Sequence, residues 1–371
     1  MRMSRLSVTY YVRGDAASIE ARAAAIAVEQ SVEMPLDAIA DAGILRDIVG
    51  EVQGIREAEP GLFEVRIGLA VDTTGYEAGQ LLNMLFGNSS IQPDVTLVDA
   101  EIPEAMAAAF GGPNVGTEGL REKVGAGARA LTCTALKPQG LSPDELGALA
   151  ARLAGGGIDF IKDDHGLADQ IYSPFADRVR AVAEALRETN AKTGFRTLYA
   201  PNVSGSFDRA ADQIALAEAE GIEAVLIEPM LIGVSNFHRL TRLFPNIAFI
   251  AHPAMAGAAR IAPPFLLGTL FRLFGADVTI YPNYGGRFSY SPETCRAIAE
   301  TARRPWADLK PCCPSPAGGM TLQRVDELLD FYGADTMLLI GGSLLAARER
   351  MTEEAAAFQA RVVRHFEGLH E

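Results

Sequence analysis

The chain is poor in positive charge: 33 lysines and arginines stand against 47 aspartates and glutamates, for a net charge of −14 over 371 residues. No Lys/Arg cluster interrupts that balance, so a nucleic-acid surface, which needs a basic patch, is not expected. An anionic ligand would have to be held by local donors rather than by the overall field. Long apolar runs are also missing. None approaches the ~18 residues of a membrane-spanning helix, so no membrane partner is expected. The opening MRMSRLSVTYY has no apolar secretory segment and runs straight into a strand pattern. Cysteine is scarce: Cys133, Cys295, Cys312 and Cys313 have no zinc-type spacing, and the adjacent Cys312 and Cys313 are poor disulfide partners. A reduced, cytoplasmic protein is the expectation.

What the chain does have is concentrated between Gly156 and Gln170, in GGIDFIKDDHGLADQ. Ile158, Phe160 and Ile161 read as a buried strand, after which Lys162, Asp163, Asp164 and His165 stand side by side. Buried charge must be paired or metal-bound, so four such groups at the end of a strand need a reason. Alternation puts Lys162 and Asp164 on the same face. A turn after them can bring His165 to that side, aiming three donors at one point.

Around this stretch the chain falls into two patterns. Residues 1–118 read as an α+β domain: a strand over 5–12, a helix opened by Asp15, a strand pair near 46–57 and 61–70, a second helix ended by Gly87 and Asn88, and the strand VTLVDAEI. The glycine- and proline-rich FGGPNVGTEG marks the boundary. Residues 119–371 then alternate strand and helix eight times. The strands are ALTCTAL, GIDFIK, FRTLYAPN, EAVLIEP, IAFIAHP, DVTIYPN, LKPCCP and TMLLIGG. Intervening helical patterns are clearest at 142–154, 173–190, 207–219, 292–302 and 319–331. Ser142 with Pro143 opens the first of these helices, and Ser173 with Pro174 is expected to open the next in the same way. The arithmetic fits a (β/α)8 TIM barrel. An open doubly wound sheet would carry a glycine-rich turn after its first strand, where this chain has LKPQG. Barrel chemistry sits at the C-terminal strand ends. Those ends carry Lys137 with Gln139, Lys162 with Asp164 and His165, Asn202, Glu228, His252, Asn283 with Tyr284, and the pairs Gly318–Gly319 and Gly341–Gly342. Tyr281, Tyr284 and Arg287 receive no role.

GGIDFIKDDH closely resembles the central motif of the RuBisCO superfamily, and the resemblance spans nearly the whole chain. TALKPQGLSPDEL is similar to the family's first barrel strand, HPAMA to its fifth-strand segment, SPAGGM and LIGGSL to its two phosphate-binding turns, and FGGPNVGTEGLREK to its domain connection. The resemblance implies that Lys162 is carbamylated by CO2 and binds Mg2+ with Asp164 and His165. His165 stands where the family has a glutamate, which removes one negative charge. The resemblance further implies that Lys137 and His252 act at the substrate, with Lys137 desolvated and so a ready proton carrier. Gly318, Gly319, Gly341 and Gly342 would hold one phosphate. Glu29 in AIAVEQS and Asn83 in LLNMLFG would reach the partner subunit's site in a homodimer with shared active sites.

Departures from the pattern matter equally. Gln139 replaces a lysine, Pro253 and Ala256 replace an arginine and a histidine serving a second phosphate, and the sixth-strand histidine is absent from DVTIYPN. A RuBisCO-like protein is implied, not a CO2-fixing enzyme. Its expected activity is metal-dependent enolisation of a small phosphorylated ketose. Isomerisation of 5-methylthioribulose 1-phosphate in methionine salvage comes first. The alternatives are enolisation of a diketo-methylthiopentyl phosphate, decarboxylation or C–C cleavage of a 3-oxo sugar-acid phosphate, and a non-enzymatic regulatory protein with a degenerate site.

Overall fold

The computed structural model describes residues 4–286, 288 and 290–368; Arg287 lies outside them. The chain divides into two compact units. The first holds residues up to Gly111 with 255–266 and 306–309; the second holds 112–254, 267–305 and the chain from Lys310 onward.

The first unit is built on an antiparallel sheet of β1 (Arg5–Arg13), β2 (Glu51–Glu59), β3 (Leu62–Ala70) and β4 (Val95–Glu101), in the order β2-β3-β1-β4. β1 alternates strictly: Leu6, Val8, Tyr10 and Val12 are fully buried, as period-2 patterning requires of a one-sided sheet. Tyr10 pairs in register with Val65 and Leu97, and its hydroxyl donates to Leu85 O at 2.6 Å, so the buried phenol is satisfied. The helix Ile19–Glu29 begins three residues later than Asp15 as N-cap suggests. Asp15 instead closes an Asx turn, accepting from the amides of Ala17 and Ser18. The first two residues of the expected strand at 46–57 belong to a short helix, Ala42–Asp47, capped by Asp41, and the strand itself begins at Glu51.

The second unit is a parallel barrel. Its strands are β5 (Leu131–Leu136), β6 (Phe160–Asp163), β7 (Leu198–Ala200), β8 (Asn202–Val203), β9 (Ala224–Ile227), β10 (Ala248–Ala251), β11 (Val278–Pro282), β12 (Cys313–Ala317) and β13 (Met337–Leu339). The order β7-β6-β5-β13-β12-β11-β10-β9-β8 returns to its start, because β7 and β8 are two pieces of one strand. Pro201 separates them. It has no N–H for the ladder, and only its carbonyl still pairs, accepting from Leu226 N at 2.9 Å. Nine segments therefore make the eight expected strand positions. One strand is displaced from its expected place: β12 is CPSPA rather than LKPCCP, so Gly318 follows its end directly.

The barrel interior is one apolar cluster, in which Leu131, Cys133, Phe160, Ala200, Ala224, Leu226, Ala248, Ile250, Val278, Ile280, Cys313, Met337 and Leu339 meet. These residues fix which face of each strand points inward. Continuing the alternation past the strand ends brings Lys162, Asp164, Asn202, Glu228 and His252 to the inner side. Helix caps set the outer layer. Ser142, Ser206 and Ser291 each accept from the third helical amide, and Ser142 forms a full capping box with Glu145. The helix Phe175–Thr193 departs from expectation: Pro174 is itself the N-cap, and Asp169 Oδ1 takes the Phe175 amide at 2.7 Å in place of Ser173.

Candidate active site

A cavity of about 650 Å³ opens at the C-terminal ends of the barrel strands. Lys137, Lys162, Asp164, His165 and His252 line one part of it, and Gly318, Gly319, Gly341 and Gly342 another. All the site residues expected from the barrel sequence are thus brought together. Ala135, Ile280, Ala317 and Leu339 form apolar walls between them.

The four charged or titratable residues after Ile161 divide by strand alternation. Asp163 faces outward and is fully buried. It accepts from Arg178 Nε at 3.0 Å, Tyr199 OH at 2.7 Å and the Asn202 amide at 2.9 Å. Arg178 is equally buried and also donates to Ser173 O and Ala168 O. This pair anchors the loop that carries the site residues, and sequence reading missed it. The signal available was the alternation that places position 163 opposite 162 and 164.

Lys162 is 4% exposed and its Nζ donates to Asp163 O at 3.0 Å. Burial holds its amine below the ordinary lysine value. Asp164 receives Lys137 Nζ at 2.8 Å and His165 Nδ1 at 3.3 Å on the same oxygen. Burial works against its charge, but those two donors hold its carboxyl well below the usual range. The His165 ring stacks on His252, with centroids 4.3 Å apart and planes at 10°. His252 accepts the Ala254 amide on Nδ1 at 3.2 Å, and burial keeps its imidazole neutral. Lys137 differs from expectation in one respect. Its side chain is 44% exposed and ion-paired, so it is not desolvated.

Glycine is required by geometry at one point of the cavity. Gly319 has φ +67°, and a Cβ there would lie 2.7 Å from Gly286 Cα, so two loops cross at a distance only hydrogen allows. At Gly166 a Cβ would clash only with the end of the Gln139 side chain, which can swing aside, so glycine is not demanded there. Around Gly341 and Gly342 a Cβ would meet nothing within 4 Å, so their backbone faces open space.

Glu29 and Asn83 are not among the cavity residues; both lie in the first unit. Glu29 accepts from Asn88 Nδ2 at 2.8 Å, while Gln30 Nε2 donates to Asn83 O at 3.2 Å, so that unit brings the two helix ends together. Among the described residues, no three His, Cys, Asp or Glu side chains form a metal set. The expected set contains two such residues and needs a lysine carbamate as its third member. Lys162 and Asp164 fit that need: burial shifts the Lys162 amine toward the neutral form that takes up CO2, and an ionised carboxylate stands two residues away on the same face. Among the described residues, no helix is long and apolar enough to cross a membrane.

An antiparallel α+β unit and a barrel with its charged cavity at the strand ends define an enzyme class, and comparison with known proteins gives the same class. Residues 116–279 match the ribulose bisphosphate carboxylase large chain, catalytic domain. The chain is 58% identical over 361 residues to ribulose bisphosphate carboxylase-like protein 1 of Rhodopseudomonas palustris, covering 97% of this chain and 98% of the relative. It is 57% identical over 359 residues to the 5-methylthioribulose-1-phosphate isomerase of Rhodospirillum rubrum, covering 96% of each. The crystal structure of a Rubisco-like protein from Rhodopseudomonas palustris superposes with a TM-score of 0.91 at 56% identity, over 97% of this chain and 98% of that one. This chain belongs to the RuBisCO-like proteins of the RuBisCO large-chain family.

Proposed function

We propose that the protein isomerises 5-methylthioribulose 1-phosphate by proton transfer through an enolate, and does not fix CO2. The observation that carries this reading is the cavity itself. It joins one acid–base cluster to one glycine-lined end fit for a single phosphate, in a chain 57% identical to an isomerase of that name. Pro253 lines the cavity where a bisphosphate enzyme of the family would place a charged donor. One charge-assisted contact contributes about 2–3 kcal/mol, so a second phosphate would bind weakly.

In this reading the backbone N–H groups around Gly318–Gly319 and Gly341–Gly342 hold the phosphate and fix the ketose with its reacting carbons near Lys137. Lys137 Nζ takes a proton from one carbon and returns it to another. Its Nζ is held on Asp164 Oδ1 at 2.8 Å, so whatever engages Asp164 releases Lys137 to turn toward the substrate. His252, neutral and accepting on Nδ1, presents Nε2–H as a donor to a substrate oxygen. The apolar walls exclude water from the enolate. Lys162 as carbamate, Asp164 and His165 would hold Mg2+, one per subunit, which when bound stabilises negative charge developing on the substrate oxygen. Glu29 and Asn83 would complete the site of the partner subunit in a cytoplasmic homodimer, with the division near residue 118 separating that role from the barrel's.

Proton NMR in deuterated buffer tests the proposal. With Mg2+ and bicarbonate, 5-methylthioribulose 1-phosphate should lose α-proton signal and convert to an isomer, while ribulose 1,5-bisphosphate takes up no labelled CO2. Measurable fixation, or no exchange and no isomer, would overturn the reading; a diketone substrate turned over instead would identify an enolase.

A further inference from the structure

The residues that line the cavity fall into three sectors, set by the strand order β6-β5-β13-β12-β11-β10. After β6 and β5 stand Lys162, Asp164, His165 and Lys137, and His252 joins them from β10 by stacking on His165. After β13 and β12 stand the two glycine turns. The third sector follows β11 and β10. It carries Pro253, Ile280, Pro282 and Phe288, and Met320 meets it from the turn after β12. None of the described cavity residues in this sector carries a charge. Its amide side chain, Asn283, is fully buried and already engaged. Asn283 Oδ1 accepts from Tyr332 OH at 2.6 Å, and Nδ2 donates to Met320 Sδ at 3.3 Å. Stripping water from an anion against such a wall would be costly. Phe288 differs from its neighbours in being 71% exposed, at the mouth of the cavity. Apolar cover over that ring is favourable, and charged cover is not.

The function proposed above uses the first two sectors, one for acid–base chemistry and one for the phosphate. The far end of the substrate is left for the third. We propose that Phe288, with Pro253, Pro282 and Met320, forms a specificity subsite for an uncharged thioether tail, and that Phe288 selects methylthio over hydroxyl or phosphate at that end. A thioether brings no charge and no hydrogen-bond donor into the apolar wall. Its sulfur and methyl group are polarisable and pack well on an aromatic ring. Met320 already sets one thioether against this wall.

The place of this tail in catalysis rests on the isomerase reading; the preference of the subsite does not, and the experiment separates them. Calorimetry on the protein with Mg2+ and bicarbonate compares three probes of equal chain length that carry a phosphate but no reacting carbonyl: 5-(methylthio)pentyl phosphate, 5-hydroxypentyl phosphate and pentane 1,5-bisphosphate. The methylthio probe should bind at least about tenfold tighter than either of the others, the scale on which an apolar pocket discriminates. Phe288→Ala, at an exposed position, should remove most of that advantage and leave the Kd of the hydroxyl probe unchanged. Phe288→Leu should keep part of it. Pro253→Arg places a cation beside the tail and should reverse the order in favour of the bisphosphate. In the isomerase assay Phe288→Ala should raise KM about tenfold with kcat nearly unchanged. Equal affinity of the wild type for the methylthio and hydroxyl probes, or binding of neither, would overturn the proposal. So would a Phe288→Ala variant that keeps the preference or weakens all three probes alike. If the methylthio preference holds and no isomer forms, the subsite stands and the isomerase reading falls.

Discussion

Arg178→Met tests the anchor of the site loop. The substitution keeps the volume of the side chain and removes a guanidinium that has no exposed surface. Three bonds are lost: to Asp163 Oδ2 at 3.0 Å, Ser173 O at 2.9 Å and Ala168 O at 2.8 Å. Asp163 keeps only Tyr199 OH and the Asn202 amide, and stays fully buried. Breaking a buried pair from one side costs about 3–5 kcal/mol, because the remaining charge has no counter-ion. That is a large fraction of the ~5–15 kcal/mol that holds a folded domain together. Urea unfolding followed by circular dichroism should show a lower midpoint with an unchanged slope. Adding Asp163→Asn removes the stranded charge and should recover about 2 kcal/mol. Both carbonyl contacts of Arg178 lie in the loop that leads away from His165, so kcat should also fall. A loss under about 1 kcal/mol, or a double variant no better than the single, would refute the view that this pair is an anchor.

Three further outcomes follow from the same geometry. Carbon-13 bicarbonate with Mg2+ should give one carbamate resonance in the wild type and none in Lys162→Ala, with activity down at least ~100-fold. Gly319→Ala forces a Cβ to within 2.7 Å of Gly286 Cα at a positive φ, so KM for a phosphorylated ligand should rise about tenfold while the barrel still folds. Asp164 has its carboxyl held below the unfolded value of 3.8, so its stabilising contribution is complete above that pH and lost as pH falls through the folded value; the stability difference between wild type and Asp164→Asn should therefore shrink on acidification from pH 5, which paired urea titrations measure.

The barrel was legible because each of its signals has a local cause. Strand runs alternate with helical periods, and Ser142, Ser206 and Ser291 cap their helices. What could not be read depends on atoms far apart in sequence. Asp169 caps the helix that Ser173 and Pro174 seemed to open, because the loop folds back on itself. The prolines of LKPCCPSPA look like breakers, yet Pro314 and Pro316 lie inside β12, paired in register with Thr279 and Tyr281. Lys137 was expected to be desolvated; its exposure depends on how the strand end meets the cavity mouth, which spacing does not record. Glu228 was visible as a polar strand end, but the burial of its Oε1 without a hydrogen bond is a property of the folded neighbourhood alone.

The run Lys162–Asp163–Asp164–His165 shows why scaffold and site are hard to separate in this barrel. Alternation sends Asp163 outward into the Arg178 pair and turns Lys162 and Asp164 inward to the cavity. Asn202 then ties the two faces together: its backbone amide donates to Asp163, and its side chain holds the carbonyls of His165 and Leu167. A change on the outer face therefore reaches the inner one through a single residue and a loop of four. Asp163→Asn alone should accordingly damage activity out of proportion to its distance from the substrate. It leaves Arg178 buried without its counter-charge and disturbs the strand position on which Lys162 and Asp164 stand. Asn202→Asp is the stricter test. It keeps the backbone bond to Asp163 but replaces the NH2 with an acceptor facing two carbonyls, so the loop should detach while the barrel survives. Full activity in Asn202→Asp would mean that the loop is held elsewhere and that the two faces are independent.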